Sequence, residues 1–327
     1  MSQLLDVEKL RVSYRVPGGK ESPALEGVSF GLEPGEALGI LGESGSGKST
    51  LAGAVLNLLP QNAVVSEGAV SFGGQDLLQA RPEELQKVRG GRIGLVFQEP
   101  SLALHPTIRV GEQVRDVIAV HQKLTRAQLR RNVMQTVERV FTNDASRIAD
   151  SFPHQLSGGQ RARVLIAQAI ACEPALLIAD EPTASLDPQT QEEILMVLRT
   201  LRSELNMALI FITHNPALIR DLTDRVLVLY AGRVVELGPT EQVLEFPRHP
   251  YTAALLQSMP PRLGDRQAVR KSELAAVPGE SPNLLRLDRG CRFEPRCSYR
   301  MGECALQEPG PSIFDENHAV ACFRYGG

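Results

Sequence analysis

The run Gly42-Glu43-Ser44-Gly45-Ser46-Gly47-Lys48-Ser49-Thr50 constrains the fold of this chain more than any other stretch. It fits G-x-x-x-x-G-K-[ST], a loop that wraps phosphates. The apolar run Ala37–Leu41 precedes it and a helix-forming run, Leu51–Leu59, follows. A strand, a glycine-rich loop and a helix in that order commit the chain to an α/β architecture. The glycines let the backbone curl so that several N–H groups point inward as an anion nest. The helix start adds its positive end. Lys48 would reach the β- and γ-phosphates and the Ser49 hydroxyl would ligate Mg²⁺. Gly42, Ser44, Gly45, Gly47 and Thr50 complete the candidate cradle.

The rest of the chain reads consistently with that start. Residues 3–35 are β-rich, two alternating runs broken by a Pro/Gly turn at Val16–Lys20. Continuous apolar runs recur at Ala37–Leu41, Ile93–Phe97, Ala175–Ala179 and Ala208–Ile212, with helical segments between them. Such runs predict parallel strands buried on both faces. A capping box at Thr125 and Gln128 predicts a helix over Thr125–Phe141. Asp187 as N-cap with Pro188 at the first helical position predicts another over Asp187–Leu205. Its apolar face reads as Ile194, Val197, Leu198, Leu201 and Leu205. Between Gln98 and Leu156 the strand signal gives way to helix, a helical insertion. After Gly238 proline becomes frequent and the buried-strand pattern ends. The expected division is a nucleotide-binding domain over 1–240, with the insertion at about 99–156, and an extension over 241–327. That extension holds one helix, Tyr251–Ser258, and a Pro/Cys-rich irregular segment. The fold class expected is a mostly parallel phosphate-loop NTPase sheet with an antiparallel N-terminal β region.

Composition removes several classes of function. A net charge of −3 argues against an electrostatic nucleic-acid binder, and the lack of tryptophan argues against base-stacking platforms. No apolar run reaches the roughly 18 residues a bilayer span needs. The N-terminal residues lack a basic-then-apolar leader pattern. The expectation is a cytoplasmic protein whose membrane role comes through partners.

Four further elements narrow the chemistry. The strand Ala175–Ala179 runs into Asp180 and Glu181, a Mg²⁺-shell carboxylate followed by a group that could polarise water at the γ-phosphate. Gln98, just after Ile93–Phe97, could touch both Mg²⁺ and that water. His214, after Ala208–Thr213, could hydrogen-bond the γ-phosphate. Ser157-Gly158-Gly159-Gln160 opens the helix Arg161–Ala171 as a second small-residue anion site. One chain needs one triphosphate cradle, so the second implies a nucleotide held by another subunit.

Taken together and in this order, these motifs resemble the ATP-binding subunits of ABC transporters. The resemblance covers roughly residues 3–240 and includes D-E-P-T at Asp180–Thr183, S-L-D at Ser185–Asp187 and T-H at Thr213–His214. It implies ATP sandwiched between the phosphate loop of one subunit and Ser157–Gln160 of a second, with Asp187 at the seam and Tyr14 stacked on adenine. The alternative for Tyr14 is a strand-face tyrosine. Where many relatives read Gln-Arg-Gln-Arg, this chain has Gln160-Arg161-Ala162-Arg163, which keeps the helix but removes a side chain expected near the interface.

Four of the five cysteines are spaced C-x₅-C-x₆-C-x₁₇-C at Cys291, Cys297, Cys304 and Cys322. In a reducing compartment such a group reads as metal ligands. Zinc sites more often show C-x₂₋₄-C pairs, and four thiolates also suit an iron–sulfur cluster. Together with Arg248-His249-Pro250-Tyr251-Thr252 and His318–Cys322, the segment resembles the tail of oligopeptide/dipeptide-importer ATPases. That resemblance implies a [4Fe–4S] cluster on the four cysteines; structural Zn²⁺ or reduced thiols remain alternatives. Cys172 reads as a small buried residue.

The resemblance implies an energy-coupling ATPase of a peptide importer on the cytoplasmic face of the inner membrane. Its partners would be two transmembrane permease subunits, a second ATPase subunit, identical or sister, and indirectly an extracytoplasmic substrate-binding protein. Nickel or another small solute is an alternative cargo, since a cassette does not fix cargo. A soluble, non-transport ABC ATPase is the competing class. It is disfavoured by the single cassette and by the lack of sustained heptads between the two glycine-rich motifs.

Overall fold

The structure is a computed structural model that describes residues 3–97, 103–258, 277, 279–280, 282, 289–315 and 317–326. In chain order it begins with β1 (Leu5–Arg15), β2 (Glu21–Leu32), β3 (Ala37–Leu41), α1 (Lys48–Val55), β4 (Ala63–Phe72) and β5 (Gln75–Asp76). There follow α2 (Pro82–Val88), β6 (Ile93–Val96), α3 (Val110–His121), α4 (Arg126–Val140), α5 (Ala145–Asp150) and α6 (Gly158–Ile170). Next come β7 (Leu176–Asp180), α7 (Pro188–Leu205), β8 (Ala208–Thr213), β9 (Arg225–Tyr230) and β10 (Arg233–Pro239). The last described α-helices and strands are α8 (Thr240–Glu245), α9 (Pro250–Gln257), β11 (Ser312–Asp315) and β12 (His318–Val320). They form two compact units, one of residues 1–5, 32–37 and 72–212, the other of residues 6–31, 38–71 and 213–327.

In the first unit β6, β7 and β8 run parallel, with Leu95 opposite Ile178 and Ile178 opposite Ile210. Every residue of β7 and β8 is buried, which is why these segments read as unbroken apolar runs. The predicted insertion is helical: α3, α4 and α5 fill it among the described residues. The Thr125 capping box forms as read, with Gln128 Oε1 accepting from Thr125 N–H at 2.9 Å. Helix α7 starts at Pro188 with Asp187 as N-cap. Its buried face is Ile194, Leu195, Leu198 and Leu201. Leu195 thus takes the place assigned to Val197 and Leu205, which are only partly covered. Helix α6 lies close on β6, since a Cβ at Gly94 would fall 2.3 Å from the Ala169 carbonyl oxygen.

In the second unit β1 and β2 are joined through the predicted turn, with Val16 N–H donating to Lys20 O at 2.9 Å. Strand β3 pairs parallel with β9, Ile40 opposite Leu227. Strand β9 pairs antiparallel with β10, β10 with β12, and β12 with β11. The composition shift near residue 240 falls between β10 and α8. Beyond it the chain returns to the same sheet, with Glu236 opposite Val320 and Leu237 opposite Ala319. Helix α1 differs from its expected span: it begins at Lys48 and ends at Val55. Asn57, at φ +51°, turns the chain left-handed, and Leu58 N–H closes on Gly53 O at 2.7 Å, a helix stop that the surrounding leucines Leu56, Leu58 and Leu59 conceal.

Candidate functional site

Strand β3 delivers its chain end into Gly42, where there is no room for a side chain. A Cβ there would lie 2.3 Å from Leu229 O and 2.5 Å from Ser46 Oγ. Gly45 and Gly47 hold φ of +79° and +105°, conformations that favour glycine. Lys48 is 6% exposed, and its ammonium donates to Gly42 O at 2.8 Å and to Glu43 O at 2.9 Å. The loop is anchored from β9 and β10 by Gly232 N–H donating to Ser46 O at 2.8 Å. Ser44 and Ser49 are exposed. The Thr50 Oγ1 lies 2.9 Å from the Tyr14 hydroxyl, so Tyr14 is tied by its polar tip to the first turn of α1. No side chain caps α1, whereas α4, α6 and α7 are capped by Thr125, Ser157 and Asp187. A helix start left uncapped beside inward-turned glycines is suited to an anion.

In the first unit the Ser157–Gln160 segment forms the start of α6 through a capping box. Ser157 Oγ accepts from Gln160 N–H at 3.2 Å, and Gln160 Oε1 accepts from Ser157 N–H at 3.0 Å. The two glycines permit close contact with the start of α7: a Cβ at Gly159 would fall 2.4 Å from Thr190 Cγ2, and one at Gly158 3.3 Å from Leu186 Cδ2. The result is a cavity of about 290 Å³ lined by Ser157, Gly159, Gln160, Arg163, Thr190 and Glu193. Asp187 holds its place through Thr190, whose N–H donates at 3.0 Å and whose hydroxyl donates at 2.6 Å. The Thr190 hydroxyl and N–H keep the Asp187 carboxyl below its ordinary pKa. Thr190 is a residue that sequence reasoning missed; it lies three positions after the N-cap, where a capping partner belongs. Ala162, in α6, is 1% exposed.

Asp180 ends β7 at 9% exposure. Glu181 then turns left-handed at φ +47°, with its N–H donating to Ile212 O at 3.0 Å and its carbonyl accepting from Ala184 N–H at 3.0 Å. For a residue with a Cβ this conformation costs roughly 1–2 kcal/mol, and such strain collects at functional positions. His214 is exposed directly after β8. Gln98 lies outside the described residues.

The four tail cysteines are free thiols and line one small cavity with apolar neighbours including Phe293, Met301 and Pro309. Burial pushes the Cys291 thiol up to about 12 and raises Cys297 and Cys322 as well. Among the described residues no group of three or more His, Cys, Asp or Glu side chains stands in metal-ligating geometry. Cys172 is half-buried, not fully buried as read, with Sγ 3.9 Å from Val117 O.

A family profile described as ABC transporter matches residues 25–184, and one described as oligopeptide/dipeptide transporter, C-terminal region, matches residues 235–304. The oligopeptide transport ATP-binding protein of Escherichia coli K12 is 40% identical over 98% of this chain and 93% of its own length. That of Bacillus subtilis 168 is 39% identical over 98% of this chain and 88% of its own. Among solved structures, the cbiO1 protein of Clostridium perfringens, part of the ABC transporter complex cbiONQ, is 32% identical with a TM-score of 0.65, covering 75% of this chain and 92% of that one. A dimeric ATP-binding cassette in a post-hydrolysis state with ADP and phosphate is 29% identical with a TM-score of 0.64, over 72% of this chain and 98% of that one. With its cassette motifs built into this α/β fold and relatives at this identity along nearly its whole length, the chain belongs to the ATP-hydrolysing, ATP-binding proteins of ABC transporters that carry the oligopeptide/dipeptide C-terminal region.

Proposed function

We propose that this chain couples ATP hydrolysis to the import of di- or oligopeptides across a membrane. One observation carries the reading: a single chain joins the cassette to the oligopeptide/dipeptide C-terminal region, and relatives named for oligopeptide transport span 98% of it. Those names favour peptides over nickel or another small solute as cargo.

ATP would lie between the Gly42–Thr50 loop of one subunit and Ser157–Gln160 of a second, identical or sister subunit, with Asp187 at the seam. Lys48 would exchange its two loop carbonyls for β- and γ-phosphate oxygens. The donor set of Ser49 hydroxyl, Asp180 carboxylate and Gln98 amide is hard oxygen, the chemistry Mg²⁺ takes. When bound, Mg²⁺ neutralises phosphate charge. Glu181 would orient and polarise the attacking water, and His214 would hold the γ-phosphate. Tyr14 would present its ring to adenine while Thr50 fixes its hydroxyl. The subunit pair would close on ATP and open after hydrolysis, biasing two permease subunits that a substrate-binding protein supplies from the other side. No helix among the described residues is long and apolar enough to cross a membrane. As an ATP-binding subunit of this family, the chain would dock peripherally, on the cytoplasmic face. Residues 1–240 would form the cassette, with its insertion at 99–156, and residues 241–327 the importer-type extension.

Cys291, Cys297, Cys304 and Cys322 line one cavity, and thiolates are the donor type that a thiophilic group takes. We assign it a [4Fe–4S] cluster, with Zn²⁺ as the other candidate. Their raised thiol pKa values mean that binding would release protons.

The shared-site reading is tested by mixing two silent variants, Ser157→Arg and Lys48→Ala, and measuring ATP turnover. Mixed pairs regain at most one working site, so activity appears on mixing and stays below wild type. A mixture as silent as its components, or one with wild-type turnover, overturns the shared site.

A further inference from the structure

The phosphate loop has a fourth wall that the motif does not contain. Glu43, a variable position of G-x-x-x-x-G-K-[ST], is held at its carboxylate, its N–H and its carbonyl. Arg296 grips the carboxylate as a fork, Nη1 donating to Oε2 at 2.8 Å and Nη2 to Oε1 at 2.9 Å. The Glu43 N–H donates to the Tyr251 hydroxyl at 2.8 Å. The Glu43 carbonyl accepts from Lys48 at 2.9 Å and from Ser46 N–H at 3.1 Å. Both outside partners come from the extension. Tyr251 belongs to α9 and Arg296 immediately precedes Cys297.

The clamp is itself rigidly backed. The Arg296 side chain is 6% exposed and Glu43 21%, so solvent screens the pair weakly. Tyr251 is fully buried. Tyr230, Tyr251 and Phe293 form one aromatic cluster, with ring centroids 4.4 to 5.5 Å apart. The Arg296 guanidinium lies over Tyr230 and Phe293 at 5.8 and 6.0 Å. Tyr230 ends β9, one residue beyond the Leu229 carbonyl that excludes a side chain at Gly42.

We infer that Arg296 and Tyr251 are positioning residues for ATP: through Glu43 the C-terminal extension sets the shape of the phosphate loop and hence its affinity for nucleotide. The chemistry follows from the geometry. Lys48 bonds the carbonyl of the same residue whose carboxylate and N–H the extension holds, so release of Glu43 loosens the loop around the cation that meets the phosphates. Hydrolysis itself uses other side chains, so the effect falls on ATP binding more than on kcat.

This inference rests on the loop being the ATP cradle, and the full-length chain tests both. ATP affinity is measured by equilibrium titration and turnover by phosphate release, for Arg296→Lys, Arg296→Ala, Glu43→Gln, Tyr251→Phe and the double variant Arg296→Ala/Glu43→Gln. Arg296→Ala and Glu43→Gln each weaken ATP binding by about tenfold, the scale of a charge-assisted pair, with a smaller loss in kcat. The double variant is no weaker than the worse single one, because both remove the same clamp. Arg296→Lys keeps the charge, loses the fork and falls between wild type and alanine. Tyr251→Phe keeps the ring and its packing and weakens binding by a few fold. Independent, multiplying losses in the double variant would show that the pair does not act as a unit and would overturn the inference. So would wild-type affinity in both Arg296→Lys and Tyr251→Phe. Lys48→Ala separates the two readings: if it leaves ATP binding intact the cradle itself is wrong, whereas if it abolishes binding while the clamp variants do nothing, only the clamp is wrong.

Discussion

Glu181 combines two features that rarely coincide at an arbitrary residue. It is a carboxylate directly after a buried strand, and its backbone sits at φ +47° without being glycine. Stability would be served by glycine there, yet the chain carries a carboxylate. Glu181→Gln preserves shape and hydrogen-bonding capacity while removing the charge. ATP turnover is expected to drop at least about a hundredfold, the scale of general acid–base assistance, with ATP still bound. Single-turnover phosphate release together with nucleotide titration checks it; near-normal turnover removes Glu181 from its assigned role. Gly159 shows the opposite economy. Its value lies in a missing Cβ that would otherwise meet Thr190 at 2.4 Å.

At the scale of elements, the start of α9 is welded to β10 and β12 through a fully buried carboxylate. Glu236 accepts from Arg248 N–H at 2.8 Å, from His249 N–H at 3.0 Å and stands 2.9 Å from His318 Nε2. His249 caps α9, its Nδ1 accepting from Tyr251 N–H at 3.0 Å, which requires that nitrogen to be unprotonated. Burial pulls the His249 pKa down from 6.5 to about 4, against the opposing pull of Glu236. An unfolded chain would take up that proton near 6.5 while the folded chain resists it. The contribution to stability is therefore complete above pH 6.5 and is lost as pH falls from 6.5 toward 4. Thermal unfolding measured across that window should show a falling midpoint, and His249→Asn, which can still cap α9, should flatten the fall. An unchanged slope in that variant would place the acid sensitivity elsewhere.

For the whole molecule, the extension returns to the sheet that carries the phosphate loop: β12 pairs with β10, and Arg296 reaches Glu43. Its four thiols share one cavity, and an irregular segment of this kind gains order from a cross-link. Protein purified without oxygen is expected to contain about four iron and four acid-labile sulfide per chain, as a cluster on four cysteines requires. Cys297→Ser should lower both. Zinc in place of iron, or neither, would reject the cluster while leaving the ATPase assignment untouched.

The sequence by itself determined the fold class, the buried strands β3, β6, β7 and β8, the glycine-rich loop between β3 and α1, and the helices capped by Thr125 and Asp187. These are local properties: a buried parallel strand is an apolar run, a capping box is two residues three apart, and a phosphate loop needs its glycines in consecutive register. Thr125 and Asp187 cap their helices as their spacing implies. Only the tertiary structure decided that Ala162 faces inward, that α1 stops at Val55, and that Thr190 sets Asp187. Above all it decided that Glu43 is held by Arg296 and Tyr251. Each of these depends on which distant backbone comes close, and no spacing along a chain encodes that. A variable loop position and an arginine before a cysteine carry no mark of each other until packing brings a guanidinium fork within 3 Å of a carboxylate.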